Sequence, residues 1–299
     1  PTLFVIYIND IPESINSSIL LYADDSKLFR PLTCTDDVEW IQRDLNELQN
    51  WSEKWLLKFH PEKCQMMRIG VRQDGKADYY MDTENSSIKL KWSTCERDLG
   101  VHVDSQLKFQ KEIQNRIKKG NTIVGLIRRT FTYLDENMMK RLFTSLVRPV
   151  LEYANTVWSP YLAKDIRDIE SIQRRATKMI PTLKNMSYED RLKKLKLPTL
   201  TYRRHRGDQI ETYKILHQKL DINPNVFFNR NTTSRTRGHS LKIEKPRVKT
   251  TLRARTFSNR VINDWNSLPE EVADAPSINS FKNRLDHHWR NHQYLHHPY

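Results

Sequence analysis

Cysteine is scarce in this 299-residue chain: Cys34, Cys64 and Cys95 stand far apart. An odd, sparse set with no CxxC pair argues against a disulfide framework and against a zinc knuckle. It suits a reducing, intracellular compartment, cytoplasm or nucleus. No apolar run reaches the length of a membrane span, and no basic signal-peptide region opens the chain. Neither a G-x-S-x-G nucleophile elbow nor a P-loop occurs. The first residue is Pro rather than Met, which suits a processed or partial product.

Charge is abundant and uneven. Hydrophobic residues make up 37% and charged residues 29%, the balance of a soluble basic protein rather than a disordered one. Residues 1–100 hold 12 Lys and Arg against 17 Asp and Glu; the remainder holds 38 against 19, and the chain's net charge is +14. An acidic part joined to a strongly basic part suits a protein that binds a polyanion near a cation site. Nucleic acid is the expected partner, although an anionic membrane surface would meet the same charge.

The acidic part contains Tyr22-Ala23-Asp24-Asp25 between the apolar runs Ile19-Leu20-Leu21-Tyr22 and Lys27-Leu28-Phe29. This reads as strand, tight turn, strand, with both aspartates at the turn. Asp-Asp is also an ordinary turn pair, since Asp bonds to its own backbone there. Adjacent carboxylates repel each other but become favourable around Mg²⁺, which takes hard oxygen ligands. The stretch Leu3-Phe-Val-Ile-Tyr-Ile-Asn-Asp-Ile-Pro12, followed by Leu20-Leu-Tyr-Ala-Asp-Asp-Ser26, resembles the palm of a reverse transcriptase of the non-LTR (LINE-like, jockey-type) retrotransposons. The resemblance implies an α+β fold: a partial polymerase palm, with an antiparallel sheet and packed helix, then a mainly helical thumb and C-terminal region. It implies that Asp24 and Asp25 bind catalytic Mg²⁺ (or Mn²⁺) for two-metal nucleotidyl transfer. Tyr22 and Ala23 would line the primer terminus.

Further along, Val38, Ile41, Leu45, Leu48 and Trp55 recur at helical spacing over 36–59, with acids at the start. His60-Pro61-Glu62-Lys63 then turns the chain into a strand over 64–69. Lys63 matches the lysine the family carries in this turn, where it can protonate the pyrophosphate leaving group; a solvated turn lysine is the equal alternative. Residues 70–96 read as a loop, including Asp74 and Gly75, followed by a hairpin arm. Asp98-Leu-Gly-Val101, with Asp104-x-x-Leu107-x-Phe109, resembles the primer-grip region, which assigns Leu99 and Gly100 to primer contact. The glycine is expected within a strand, allowing close backbone approach.

From residue 110 the pattern is helical. Ile113, Ile117, Val124, Ile127 and Phe131 form a stripe, leaving Arg116, Lys118, Lys119, Arg128 and Arg129 outside. A second helix over 137–148 is expected to kink or end at Pro149. The run from Leu146 to Pro160 resembles the family's thumb and, being apolar, is expected to be buried. A third helix is expected from Asp165, capped with Asp168, leaving Arg174, Arg175 and Lys178 outward. Basic helix faces of this kind bind phosphates without reading sequence. Residues 181–299 read as a basic, mainly helical region with a flexible loop near 223–249 and a His-rich end. His288, His292 and His296 stand at i, i+4 spacing, more like tag-like affinity than a closed metal site.

The domain reading is therefore 1–109 partial palm, 110–180 thumb, and 181–299 C-terminal region. The resemblance also implies a further palm aspartate, a fingers domain and an endonuclease upstream, none supplied by the residues before Asp24. The expected function is thus that of a reverse transcriptase fragment, inactive alone for want of the fingers and upstream aspartate. Its partners would be an RNA template, a DNA primer or RNA/DNA duplex, dNTP, and the parent element's N-terminal polymerase and endonuclease regions. The alternative is a non-enzymatic nucleic-acid-binding remnant or domesticated protein.

Overall fold

Short hairpins over one long helix, then a run of helices, divide the chain into two units, Pro1–Gln106 and Leu107–Tyr299. The computed structural model describes residues 2–70, 77–83, 86–231 and 238–298. The expected loop residues Asp74 and Gly75, part of the arm at 84–85, and 232–237 of the expected flexible loop lie outside the described residues.

The first unit runs α1 (Thr2–Ile8), β1 (Ser18–Tyr22), β2 (Asp25–Phe29), α2 (Asp36–Trp55), β3 (Gln65–Met66), β4 (Tyr80–Thr83), β5 (Ser86–Lys89), β6 (Lys91–Trp92), β7 (Cys95–Asp98) and β8 (Val101–Asp104). Among the described residues every sheet is two-stranded: β1–β2, β4–β5 and β7–β8 are antiparallel, and β3–β6 is parallel. The apolar stripe of α2 buries Ile41, Leu45, Leu48 and Trp51 with Ile8, Ile11, Tyr79, Met81 and Leu90. Each such side chain contributes about 1.5–3 kcal/mol of transfer free energy. The helix stops at Trp55, short of the expected residue 59, because Leu56 turns left-handed (φ 56°) and its N–H returns to the Ser52 carbonyl. The expected strand over 64–69 shortens to Gln65–Met66.

The second unit runs α3 (Gln110–Thr130), α4 (Glu136–Leu142), α5 (Arg148–Glu152), α6 (Asn155–Trp158), α7 (Ala163–Lys178), α8 (Tyr188–Leu195), α9 (Leu200–Leu216), α10 (Thr251–Arg255), α11 (Phe257–Arg260), α12 (Ile262–Asn266), α13 (Glu270–Ala273) and α14 (Ile278–His288). Helix α3 packs on α5 and α7. At Gly120 a Cβ would sit 2.9 Å from Leu151 Cδ2 and 3.1 Å from Ile172 Cδ1. A second core gathers Tyr213, Trp265, Phe281 and Leu285, all fully buried, around α9, α12 and α14.

Several expectations are corrected here. Pro149 does not end the helix: helix continues through Glu152, and a π-helical turn over Phe143–Val147 precedes the proline. The wider turn relieves the clash a proline ring makes with the carbonyl four residues back. The run from Leu146 to Pro160 is only half buried. Val147, Leu151 and Trp158 are inside, whereas Leu146, Tyr153 and Val157 are about half exposed. Helix α7 begins at Ala163, so Asp165 lies in its first turn and accepts from Gln110 Nε2 at 2.7 Å rather than capping. Within the described parts of 223–249, Phe228, His239 and Ile243 are buried, and Arg230 pairs with Ile243 in an isolated bridge.

Candidate functional site

In the β1–β2 hairpin Tyr22 faces Asp25 across the ladder, so the two-residue turn is Ala23-Asp24. Only Asp24 is a turn residue; Asp25 opens β2, a correction to the reading that placed both at the turn. Ala23 is left-handed, with φ 51°. For a residue with a Cβ this costs roughly 1–2 kcal/mol. Tyr22, Ala23, Asp24 and Asp25 are all exposed.

The base of this hairpin is held by two carboxylates of α2 that sequence reasoning passed over. Asp44 is buried and accepts from the backbone N–H groups of Asn16 and Ser17, both at 2.8 Å, immediately before β1. Asp37 is buried and binds Arg30 Nε at 2.7 Å and the backbone N–H groups of Thr33 and Cys34 at 2.7 and 3.0 Å, just after β2. The Cys34 N–H, then Arg30 and the Thr33 donors hold the Asp37 carboxyl well below the usual range. Seven residues, two helical turns, separate these acids, which puts them on one face of α2 beside its apolar stripe. That spacing was the available signal.

Lys27 of β2 forms an ion pair with Asp98 at the end of β7. The pair joins the aspartate hairpin to the turn bearing Leu99 and Gly100. Those two residues are not inside a strand, as expected, but form the two-residue turn between β7 and β8. Both have positive φ, 44° and 83°, and glycine meets the second at no steric cost. Lys63 is exposed in a 3-10 turn, Pro61–Lys63, that packs on β4. No hydrogen bond or ion pair among the described residues joins it to Asp24 or Asp25.

Of the basic residues expected to face outward, Lys118, Lys119, Arg128, Arg129, Arg174, Arg175 and Lys178 are exposed. Arg174 lies over the Tyr188 ring, 4.7 Å from its centroid, and Arg175 donates to Asn121 Oδ1 at 3.0 Å. Arg116 is the exception. It is buried, ion-paired with the fully buried Glu112, and its guanidinium sits 4.9 Å from the Tyr153 ring centre. An inward carboxylate one helical turn away requires a cation, so Arg116 neutralises the core rather than facing solvent.

The second unit buries further charge. Glu170 accepts from the Tyr188 hydroxyl at 2.5 Å and the Leu200 N–H at 3.0 Å, and burial pushes its carboxyl pKa up. Asp208 is gripped bidentately by Arg260 at 2.8 and 2.9 Å; burial raises its pKa and Arg260 opposes the rise. At the His-rich end His287, His288 and His297 are exposed. Helix α14 ends at His288, and His292 packs against Trp289, Tyr202 and Tyr294. Among the described residues, no group of three or more His, Cys, Asp or Glu is placed to hold a metal.

Residues 1–122 match the family model described as reverse transcriptase (RNA-dependent DNA polymerase). The chain is similar to the RNA-directed DNA polymerase from mobile element jockey of Drosophila melanogaster, at 22% identity over 241 residues, 75% of this chain and 25% of that protein. The chain spans about a quarter of that relative's length. No solved structure matches it significantly. No helix among the described residues is long and apolar enough to cross a membrane.

Proposed function

We propose that the chain contributes the metal-binding hairpin and a phosphate-binding helical unit to an RNA-directed DNA polymerase. The observation that carries this reading is the exposed Asp24-Asp25 pair at the tip of a hairpin whose base α2 fixes through Asp37 and Asp44. Two carboxylates open to solvent suit Mg²⁺, which is held by one or two carboxylates and keeps its other positions for water and substrate phosphates. When bound, the metal stabilises the attacking and leaving oxygens. A further carboxylate, implied by the resemblance, would complete a two-metal site. Tyr22 and Ala23 would then line the primer terminus, the Leu99–Gly100 turn would back it, and Lys63 could donate a proton to pyrophosphate. Lys118, Lys119, Arg128, Arg129, Arg174, Arg175 and Lys178 are in this reading the contacts to an RNA/DNA duplex.

Primer extension on an RNA template with Mg²⁺ or Mn²⁺ tests it. Extension that Asp24→Ala abolishes supports the enzyme. A second reading, a nucleic-acid-binding protein without catalysis, is favoured by the lack of a third metal-ligating side chain near the pair among the described residues. It predicts no extension, together with salt-sensitive duplex binding that Asp24→Ala leaves unchanged.

A further inference from the structure

Helix α9 presents Arg203, Arg206, Gly207, Ile210 and Lys214 to an open cleft of about 370 Å³, closed by the link from α5 to α6 and by Lys282 of α14. The spacing of three, four, seven and eleven residues puts them along one helix face. Gly207 keeps the middle open: a Cβ there would meet only Asn155 Oδ1, at 3.9 Å.

The donors in this cleft are pre-ordered yet incompletely used. Arg203 gives Nε and Nη2 to Glu152, and Arg206 gives Nε and Nη2 to Asp286. The Nη1 of each has no acceptor among the described residues, and Lys282 has no hydrogen-bond or ion-pair partner there. Fixing one guanidinium edge on a carboxylate leaves the other edge presented at little further entropy cost. The two acids of the cleft are already matched. Glu152 meets Arg203 and Arg148, the latter at 3.9 Å, and Glu211 meets Lys214 at 3.0 Å. The remaining positive field and free N–H groups match a phosphate oxyanion. Among the described residues no aromatic side chain lines the cleft, so none is there for a base to stack on.

We propose that this cleft binds a single backbone phosphate of a nucleic-acid strand. The inference rests on the nucleic-acid reading above and adds a contact on α9 and α14, helices other than those already named. It is tested by RNA/DNA duplex binding to the intact chain, followed by fluorescence anisotropy across a salt series. The variants are Lys282→Glu, Gly207→Leu, and Lys118→Glu with Lys119→Glu, with melting temperature as the folding control. Loss of one phosphate contact should weaken Lys282→Glu binding roughly 10-fold and reduce the salt slope by about one. Gly207→Leu, which fills the cleft without altering charge, should weaken binding in the same direction. Wild-type affinity in both cleft variants, with loss only in the Lys118 and Lys119 variant, overturns the cleft and leaves the nucleic-acid reading standing. A wild-type chain that binds no duplex even at low salt overturns that reading, and the cleft with it. Inorganic phosphate that raises the melting temperature of wild type but not of Lys282→Glu, while both cleft variants keep wild-type duplex affinity, overturns the strand as ligand and assigns a small anion instead.

Discussion

Asp44 shows how much of the site depends on a side chain that takes no part in its chemistry. Its carboxylate satisfies two backbone N–H groups at the entry to β1, and the Ser17 residue is buried. Asp44→Ala orphans those donors and should cost about 1–3 kcal/mol, read as a lower urea midpoint. A hairpin freed at its base also loses the placement of Asp24 and Asp25, so any primer extension should fall with it. Neither Asp37 nor Asp44 stands out in the sequence, because periodicity scores apolar positions. The informative fact was two acids on the face that otherwise buries.

At the scale of elements, the decisive contacts are crossings and turns. Gly120 brings α3 against α5 and α7, and a side chain there would strike Leu151 and Ile172. Gly120→Leu should overpack this crossing by about 1–3 kcal/mol, seen as a fall in thermal midpoint, whereas Gly125→Ala, in open surroundings on the same helix, should not. Helix existence was legible from the apolar stripes of α2, α3 and α7, all of which formed. Their interruptions were not. The π-turn before Pro149 and the left-handed Leu56 each depend on how neighbours accommodate the backbone. Leu99-Gly100 followed the same logic. Alternating apolar residues suggested a continuous strand, and the fold used the glycine to reverse the chain.

For the molecule as a whole, charge and pH are the accessible handles. The second unit pairs Arg116, Arg203, Arg206 and Arg260 with carboxylates of its own. Each pair consumes an acid as well, so the excess of positive charge stays on exposed lysines and arginines. Burial, then the neighbouring His205, lowers the pKa of His292, with Asp264 opposing. Its folded-state value lies below the ordinary one of about 6.5, so the neutral ring is the form that folds. The stability it contributes is complete above that pH and declines as the pH falls through the interval below. Melting temperature should therefore drop between pH 7.5 and pH 5.5, and His292→Phe, which keeps an aromatic ring against Trp289 and Tyr202, should show a smaller drop.

Composition and motif were enough to read a basic chain with a Tyr-Ala-Asp-Asp hairpin and helices in the right order, because charge totals and local periodicity are properties of the chain itself. Which cations face solvent was settled only by folding. Arg116 and Lys118 are two residues apart on one helix, yet the first neutralises buried Glu112 and the second is exposed. The same holds for the aspartates. Sequence put Asp24 and Asp25 side by side, and tertiary structure fixed their hairpin by two carboxylates on α2. It also tied that hairpin to the Leu99–Gly100 turn through Lys27 and Asp98, residues 71 positions apart. Contacts over such separations are set by packing and buried-charge compensation, which no local pattern encodes.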